Sequence, residues 1–266
     1  MGCEKKLYAI REVAERTGVK PVTLRAWQRR YNLVQPQRTD KGHRLYTDQH
    51  IELISEIQSW LSKGVPIGKV KDIINAQDTK SQSDSFVTYQ LDEVDTFLQA
   101  LSELNKAKAE SVAMNVFKEY PMDVVERQFI RPVEKAVSLV RYGLRSIQKG
   151  LMESILSARL NMIIDADNKA ARGGKCLFIN CDSLNDIQSR LWAIELSGLG
   201  MRMVIVDGVD DLSGLIEHSG LEPYKALALF SSRPLSQSQS NLIIKIEKSF
   251  NGSVLLSHFI KNEAVI

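Results

Sequence analysis

The chain is poor in the residues that mark a membrane protein, a disulfide scaffold or a metal centre. Of its 266 residues three are cysteine (Cys3, Cys176 and Cys181) and four are histidine. Three scattered cysteines supply neither a disulfide framework nor the four clustered thiolates of an iron–sulfur site. No apolar run approaches the roughly 18 residues of a membrane span. The N-terminus, MGCEKKLYAI, lacks the apolar segment of a secretory signal, so a cytoplasmic protein is expected. No G-x-G-x-x-G or P-loop pattern occurs. Gly173-Gly174 precedes an apolar run rather than following one, and Gly198 and Gly200 end a helical pattern. These absences argue against an enzyme, a membrane partner and a bound metal or cofactor.

What is present is an ordinary globular composition, 44% hydrophobic and 25% charged, which excludes wholesale disorder. The length suits two or three domains. The net charge of +3 conceals a division along the chain. Residues 1–76 hold 14 Lys and Arg against 8 Asp and Glu, whereas the remainder holds 21 against 24. The basic surplus sits mainly in Lys20–Arg44, and clustered positive charge is the footprint of a polyanionic partner.

Apolar spacing at Ile10, Val13 and Ala14 predicts a helix over Tyr8–Thr17, stopped at Gly18. Pro21 opens a second helix carrying Val22, Leu24 and Trp27 and ending near Tyr31. Two short helices joined by a Gly-containing turn form a helix-turn-helix signature. Pro36 breaks the pattern, Asp40-Lys41-Gly42 tips a hairpin, and Asp48 is the expected N-cap of a helix over His50–Lys63. Another helix follows from Pro66 to Ala76. The polar stretch Gln77–Ser85 reads as a linker. From Leu91 to about Ala171 the periodicity predicts four helices. Beyond Gly174, four apolar runs (Lys175–Asn180, Met201–Val206, Ala226–Phe230, Val254–Phe259) alternate with helical segments, which means a parallel sheet. The expected fold is therefore mixed and multidomain. It has an N-terminal winged helix-turn-helix (1–76), a linker (77–90), a helical bundle (91–172) and a C-terminal flavodoxin-like α/β domain (173–266).

The second helix and the hairpin offer the side chains that read DNA. Arg reads guanine and Gln reads adenine bidentately, while Lys and Arg hold phosphates. Thr23, Arg25, Ala26, Gln28, Arg29 and Arg30 are candidates on the helix. Arg25 is assigned to phosphate, and Gln28 or Ala26 lies nearer the bases. Arg38, Lys41, His43, Arg44 and Tyr46 place the wing on the backbone. Leu24 and Trp27 read as core residues. Cys176 and Cys181, in and beside a buried strand, read as small hydrophobes. Ser231-Ser232-Arg233, after the third apolar run, stands where open α/β sheets bind ligands, and either an anion site or a plain polar loop fits.

The string Val19, Thr23-Leu24-Arg25, Trp27, Leu33, Pro36, Arg38, Gly42 and Arg44-Leu45-Tyr46 resembles the DNA-binding domain of the MerR family over about Tyr8–Ala76. Its detail is similar to the MlrA-like subgroup. The resemblance implies a homodimer on double-stranded promoter DNA that works with RNA polymerase. It implies activation by untwisting and bending the promoter, at genes of the curli or biofilm type, although some members repress by occlusion. Metal-sensing members keep paired cysteines at a dimerisation helix, and this chain has none before Cys176. The bundle and α/β domain resemble the cobalamin-binding module of the CarA- and CarH-like branch. That module uses a Trp, a Glu-His pair and a loop whose His ligates cobalt. At those positions stand Gly143, Glu153-Ser154 and Asp182-Ser183-Leu184, with Ile187 replacing the loop's Gly. Leu184 cannot ligate a metal, so no cobalamin is expected, and the C-terminal domain is assigned to dimerisation or regulatory protein contacts. A ligand-responsive sensor-repressor, binding a corrinoid or another small molecule, is the alternative. A corrinoid methyltransferase-like enzyme is a third reading that the missing His disfavours.

Overall fold

A computed structural model of the chain describes residues 6–76, 90–184 and 186–263. Most of the expected linker, and Cys3, lie outside these residues. The chain forms two compact units, Met1–Leu151 and Met152–Ile266. This partition differs from the three-domain division expected above, because the N-terminal helices pack on the first bundle helices.

In the first unit Tyr8–Ala9 (β1) is a strand rather than the start of a helix, and α1 spans Ile10–Thr17. The Ala9 amide donates to Glu12 Oε2 at 2.7 Å, satisfying one of the open donors at the helix start. Gly18 closes α1 at φ +72°, a left-handed conformation that costs glycine nothing. Pro21–Ala26 (α2) continues into a π-helical turn over Trp27–Tyr31, ended by Asn32 at φ +52°. Gln37–Arg38 (β2) and Arg44–Tyr46 (β3) form an antiparallel hairpin, and β1 pairs with the other side of β3. The N-cap of α3 (Asp48–Ser62) is Thr47, not Asp48. Thr47 and His50 cap each other, and Asp48 is instead held by the Tyr8 hydroxyl at 2.7 Å. Helix α4 is Ile67–Ala76. Val13, Val19, Leu24, Trp27, Ile54, Ile57 and Leu61 are buried core residues of this region. Gln58 Nε2 donates to the Thr17 carbonyl at 3.0 Å, supplying a partner to the end of α1.

The bundle helices are α5 (Glu93–Ser102), α6 (Lys106–Glu119), α7 (Met122–Val125) and α8 (Arg131–Ser138). A second π-helical turn, Glu126–Ile130, joins the last two. Phe97 and Phe129 meet edge to face at 5.1 Å in their core. Helix α9 runs unbroken from Tyr142 to Ala170, much longer than the segment expected around Leu151–Leu160. No described helix is long and apolar enough to cross a membrane.

The second unit holds a four-stranded parallel sheet of order β5-β4-β6-β7. The strands are β4 (Lys175–Asn180), β5 (Arg202–Asp207), β6 (Tyr224–Phe230) and β7 (Ser253–Leu256). The last apolar run is only half strand, because His258–Glu263 turns into a helix (α12). The short helix expected at Leu212–Ser219 is instead two 3₁₀ turns, Ser213–Leu215 and Ser219–Leu221. Strand alternation sends Leu177, Ile179, Leu227 and Leu229 into one layer with Ile243 and Ile246 of α11 (Gln237–Ser249) and Ile260 of α12. On α10 (Ile187–Ser197), Trp192 lies 5.3 Å from the Phe178 ring and 5.9 Å from that of Phe230. Asn168 on α9 exchanges two hydrogen bonds with the Met203 backbone, of 2.9 and 2.7 Å, and so occupies the free edge of β5.

Candidate nucleic-acid interface

A side-chain bond joins the turn that follows α2 to the hairpin. Arg44 Nε, on β3, donates to Gln28 Oε1, in the π-helical turn, at 2.7 Å. The Arg44 guanidinium is held below its ordinary value by partial burial, and further by the positive fields of Arg38, Arg25 and Arg29. Two arginines from the helix side and one from the hairpin thus act on the Arg44 guanidinium. Gathered like charges raise the free energy of the isolated protein, and a polyanion relieves that repulsion.

The hairpin is held by its own chemistry. The Thr39 amide donates to the His43 carbonyl at 2.9 Å, and the Gly42 amide to the Thr39 carbonyl at 2.8 Å. Gly42, at φ +79°, makes the tight tip that leaves Lys41 and His43 exposed.

The remaining candidates fall elsewhere. Thr23 is 2% exposed and Tyr46 1% exposed, so neither side chain reaches the surface assigned to it. Thr23 lies against the helix-turn-helix core, and Tyr46, at the end of β3, is buried edge-on to His50 with ring centroids 6.0 Å apart. Burial raises the Tyr46 pKa, and its hydroxyl has no hydrogen-bond partner among the described residues. Ala26 is half-buried. Arg30 leaves the arginine group altogether and pairs with Glu119 Oε1 at the end of α6. Trp27 is fully buried, and its indole N–H donates to the Glu119 carbonyl at 2.7 Å. The Tyr31 hydroxyl donates to Glu119 Oε2. Sequence reading missed Glu119. Its one faint signal is an acid at the C-terminal end of a helical pattern, where the helix dipole disfavours negative charge.

At the carboxyl ends of the sheet, strand order reverses between β4 and β6, the usual place for a ligand crevice. Here the two loops bond to each other. Asp182, 8% exposed, accepts the Ser232 amide at 2.6 Å and the Ser231 hydroxyl at 3.5 Å, and pairs with Arg233 at 3.5 Å. Beside it, Arg190 forms a bidentate pair with Asp207, with bonds of 2.9 and 2.5 Å, and Asn180 donates to the same carboxylate at 2.8 Å. Burial pushes the Asp207 carboxyl up, but those hydrogen bonds outweigh it and hold the group below the usual carboxylate range. Leu184, at the position of the metal-binding His, is an exposed alkyl side chain. The residues present therefore do not fit a cobalt ligand loop. Burial pushes the Cys176 and Cys181 thiols up to about 11, so neither is a thiolate near neutral pH. His218 caps the Ser219–Leu221 turn, accepting the Gly220 amide at 2.9 Å. No group of three potential metal ligands occurs among the described residues.

Comparison with known proteins adds the following. Residues 8–77 match the family of MerR HTH family regulatory proteins. The chain is 31% identical to the HTH-type transcriptional regulator MlrA of Salmonella typhimurium over 186 residues, 70% of this chain and 73% of the relative. It is 46% identical to MlrA of Escherichia coli K12 over 89 residues, 31% of this chain and 37% of the relative. It is also 33% identical to the HTH-type transcriptional repressor CarH of Myxococcus xanthus over 70 residues, 26% of this chain and 23% of that protein.

Proposed function

The chain belongs to the MlrA-like branch of the MerR family of DNA-binding transcription regulators, and from that premise we propose that it acts at promoters as a homodimer, mainly as an activator. Helix α2 enters the major groove. The β2–β3 hairpin serves as the wing, with Arg38, Lys41, His43 and Arg44 on the flanking phosphates. Arg25 and Arg29 meet the nearer backbone. The observation that carries this reading is the bond from Arg44 of the hairpin to Gln28 of the recognition element, with Arg25, Arg29 and Arg38 close enough for their charge to act on Arg44. Bending or untwisting the spacer costs roughly 1–6 kcal/mol, which phosphate contacts from such a cluster offset while RNA polymerase engages the realigned promoter.

In this reading residues 1–76 are the reader, joined through 77–90 to the bundle of 91–172. Residues 173–266 form a flavodoxin-like module, supported by its all-parallel strand order. That module serves self-association or protein contacts rather than cofactor binding, since Asp182 is engaged by the facing loop. Promoters of curli or biofilm genes are the proposed targets, on the strength of the similarity to MlrA. A gel shift with DNA upstream of the chain's own gene and its neighbours tests the proposal. A complex that survives excess non-specific competitor, with a two-fold symmetric footprint, is expected, and Arg25→Ala should weaken it. Binding no tighter than to competitor DNA would refute promoter-specific action.

A further inference from the structure

Arg30 is exposed enough to be taken for a DNA contact, yet its guanidinium is paired with a carboxylate that is 95% buried. Glu119 closes α6, and among the described residues its donors come from the π-helical turn after α2: the Trp27 indole at its carbonyl, the Tyr31 hydroxyl and the Arg30 guanidinium at its carboxylate. The turn is the C-terminal half of the recognition element, and it lies 88 to 92 residues away in sequence from Glu119. Gln28 and Arg29 are in the same turn, so the surface that faces DNA and the surface that faces α6 share one short segment.

Two physical features make this contact more than incidental packing. A carboxylate at the C-terminal end of a helix sits against the negative pole of the dipole. Burying it there is unfavourable unless its lone pairs are filled, and all the donors found come from the reader. A π-helical turn is also rare, and single turns of this kind occur frequently at functional sites. In this chain the turn is held by Glu119. A separate bond joins the same two regions at α3, where Gln128 Nε2 donates to the Leu61 carbonyl at 2.8 Å.

We propose that Glu119 and Arg30 are positioning residues for DNA recognition: they lock the Trp27–Tyr31 turn to the helical bundle, so that the bundle sets the attitude of Gln28 and Arg29 toward the duplex. Arg30 is thereby removed from the set of phosphate contacts. The inference rests on the promoter-binding reading above, but the two fail differently.

The experiment is salt-dependent fluorescence anisotropy with the full chain and its operator duplex, well below the melting temperature. The single variants Glu119→Ala and Arg30→Ala are compared with the double variant. Each single variant is expected to bind about tenfold more weakly with the log–log salt slope unchanged, because no phosphate contact is lost. The double variant should be no weaker than either single one. Hydrogen exchange should accelerate at residues 27–33 in all three. If Glu119→Ala does not fold, Glu119→Gln decides: it keeps an acceptor for Tyr31, and roughly threefold weaker binding with the same slope is expected. A slope that falls by about one unit in Arg30→Ala would make Arg30 a phosphate contact and overturn the proposal. Unchanged affinity in the Glu119 variants, or single effects that multiply in the double variant, would overturn it as well. A wild-type chain that shows no preference for promoter DNA would instead sink the functional reading.

Discussion

Replacing Arg44 by Ala separates function from stability, because the two effects have different sources. In the free protein Arg44 is bonded to Gln28 and repelled by Arg25, Arg29 and Arg38. That bond, charge-assisted by the guanidinium, contributes about 1.5–3 kcal/mol. For two unit charges about 8 Å apart in water, a repulsion costs about 0.5 kcal/mol before salt screens it. Three repulsions of that order offset much of the bond, so Arg44→Ala should change unfolding free energy by at most about 1.5 kcal/mol and move the melting temperature by no more than about 5 °C. On DNA the balance is different. A charge-assisted bond to phosphate contributes about 1.5–3 kcal/mol, so affinity should fall roughly 10- to 150-fold at low salt. Losing one phosphate contact also reduces the salt slope by about 0.9, so the gap from wild type should narrow about threefold between 50 and 200 mM salt. Anisotropy titrations at several salt concentrations, with thermal melts on the same samples, read both quantities. Weaker binding with an unaltered slope, or a melting temperature more than about 5 °C lower, would refute the reasoning: Arg44 would then act through the fold.

Two further predictions concern stability. Asp207→Ala should strand the buried Arg190 guanidinium and cost about 3–5 kcal/mol in urea unfolding, whereas replacing both partners by Leu should cost less. Because Asp207 titrates below the ordinary carboxylate value, its contribution is present above about pH 4 and disappears as pH falls, so the acid limb of the wild-type stability profile should be steeper than that of Asp207→Ala. Gly18→Ala should destabilise by about 1–2 kcal/mol from backbone strain alone, since φ is +72° and a Cβ there would meet no atom within 4 Å. A neutral result in urea titration would mean the turn relaxes.

Local signals in this chain were legible where one segment carries both cause and consequence. Gly18, Pro21 and the apolar spacing around Val13 and Leu24 specify two short helices and the turn between them. Alternation after Gly174 specifies strands, and the intervening helices specify a parallel sheet. Boundaries slipped where a partner outside the segment decided them. Tyr8–Ala9 became a strand because β3 offered a free edge, Thr47 took the cap because His50 reciprocates, and His258 left the strand pattern for a helix. Thr23 and Tyr46 looked like surface residues because a motif states residue type, not which side of a strand or helix turns inward.

The amino-acid order by itself determined the family, the kind of partner and the basic surface of the reader, since charge and turn chemistry are local properties of Lys20–Tyr46. It also excluded a cobalt-ligating loop, because Leu184 has no donor atom. Only the tertiary structure decided that Arg30 pairs with a buried carboxylate, and that Asp182 spends its lone pairs on the loop of the neighbouring strand. Both outcomes pair groups about 50 to 90 residues apart. No local pattern encodes such pairings, because they exist only once burial forces a polar atom to find whichever partner the fold has placed beside it.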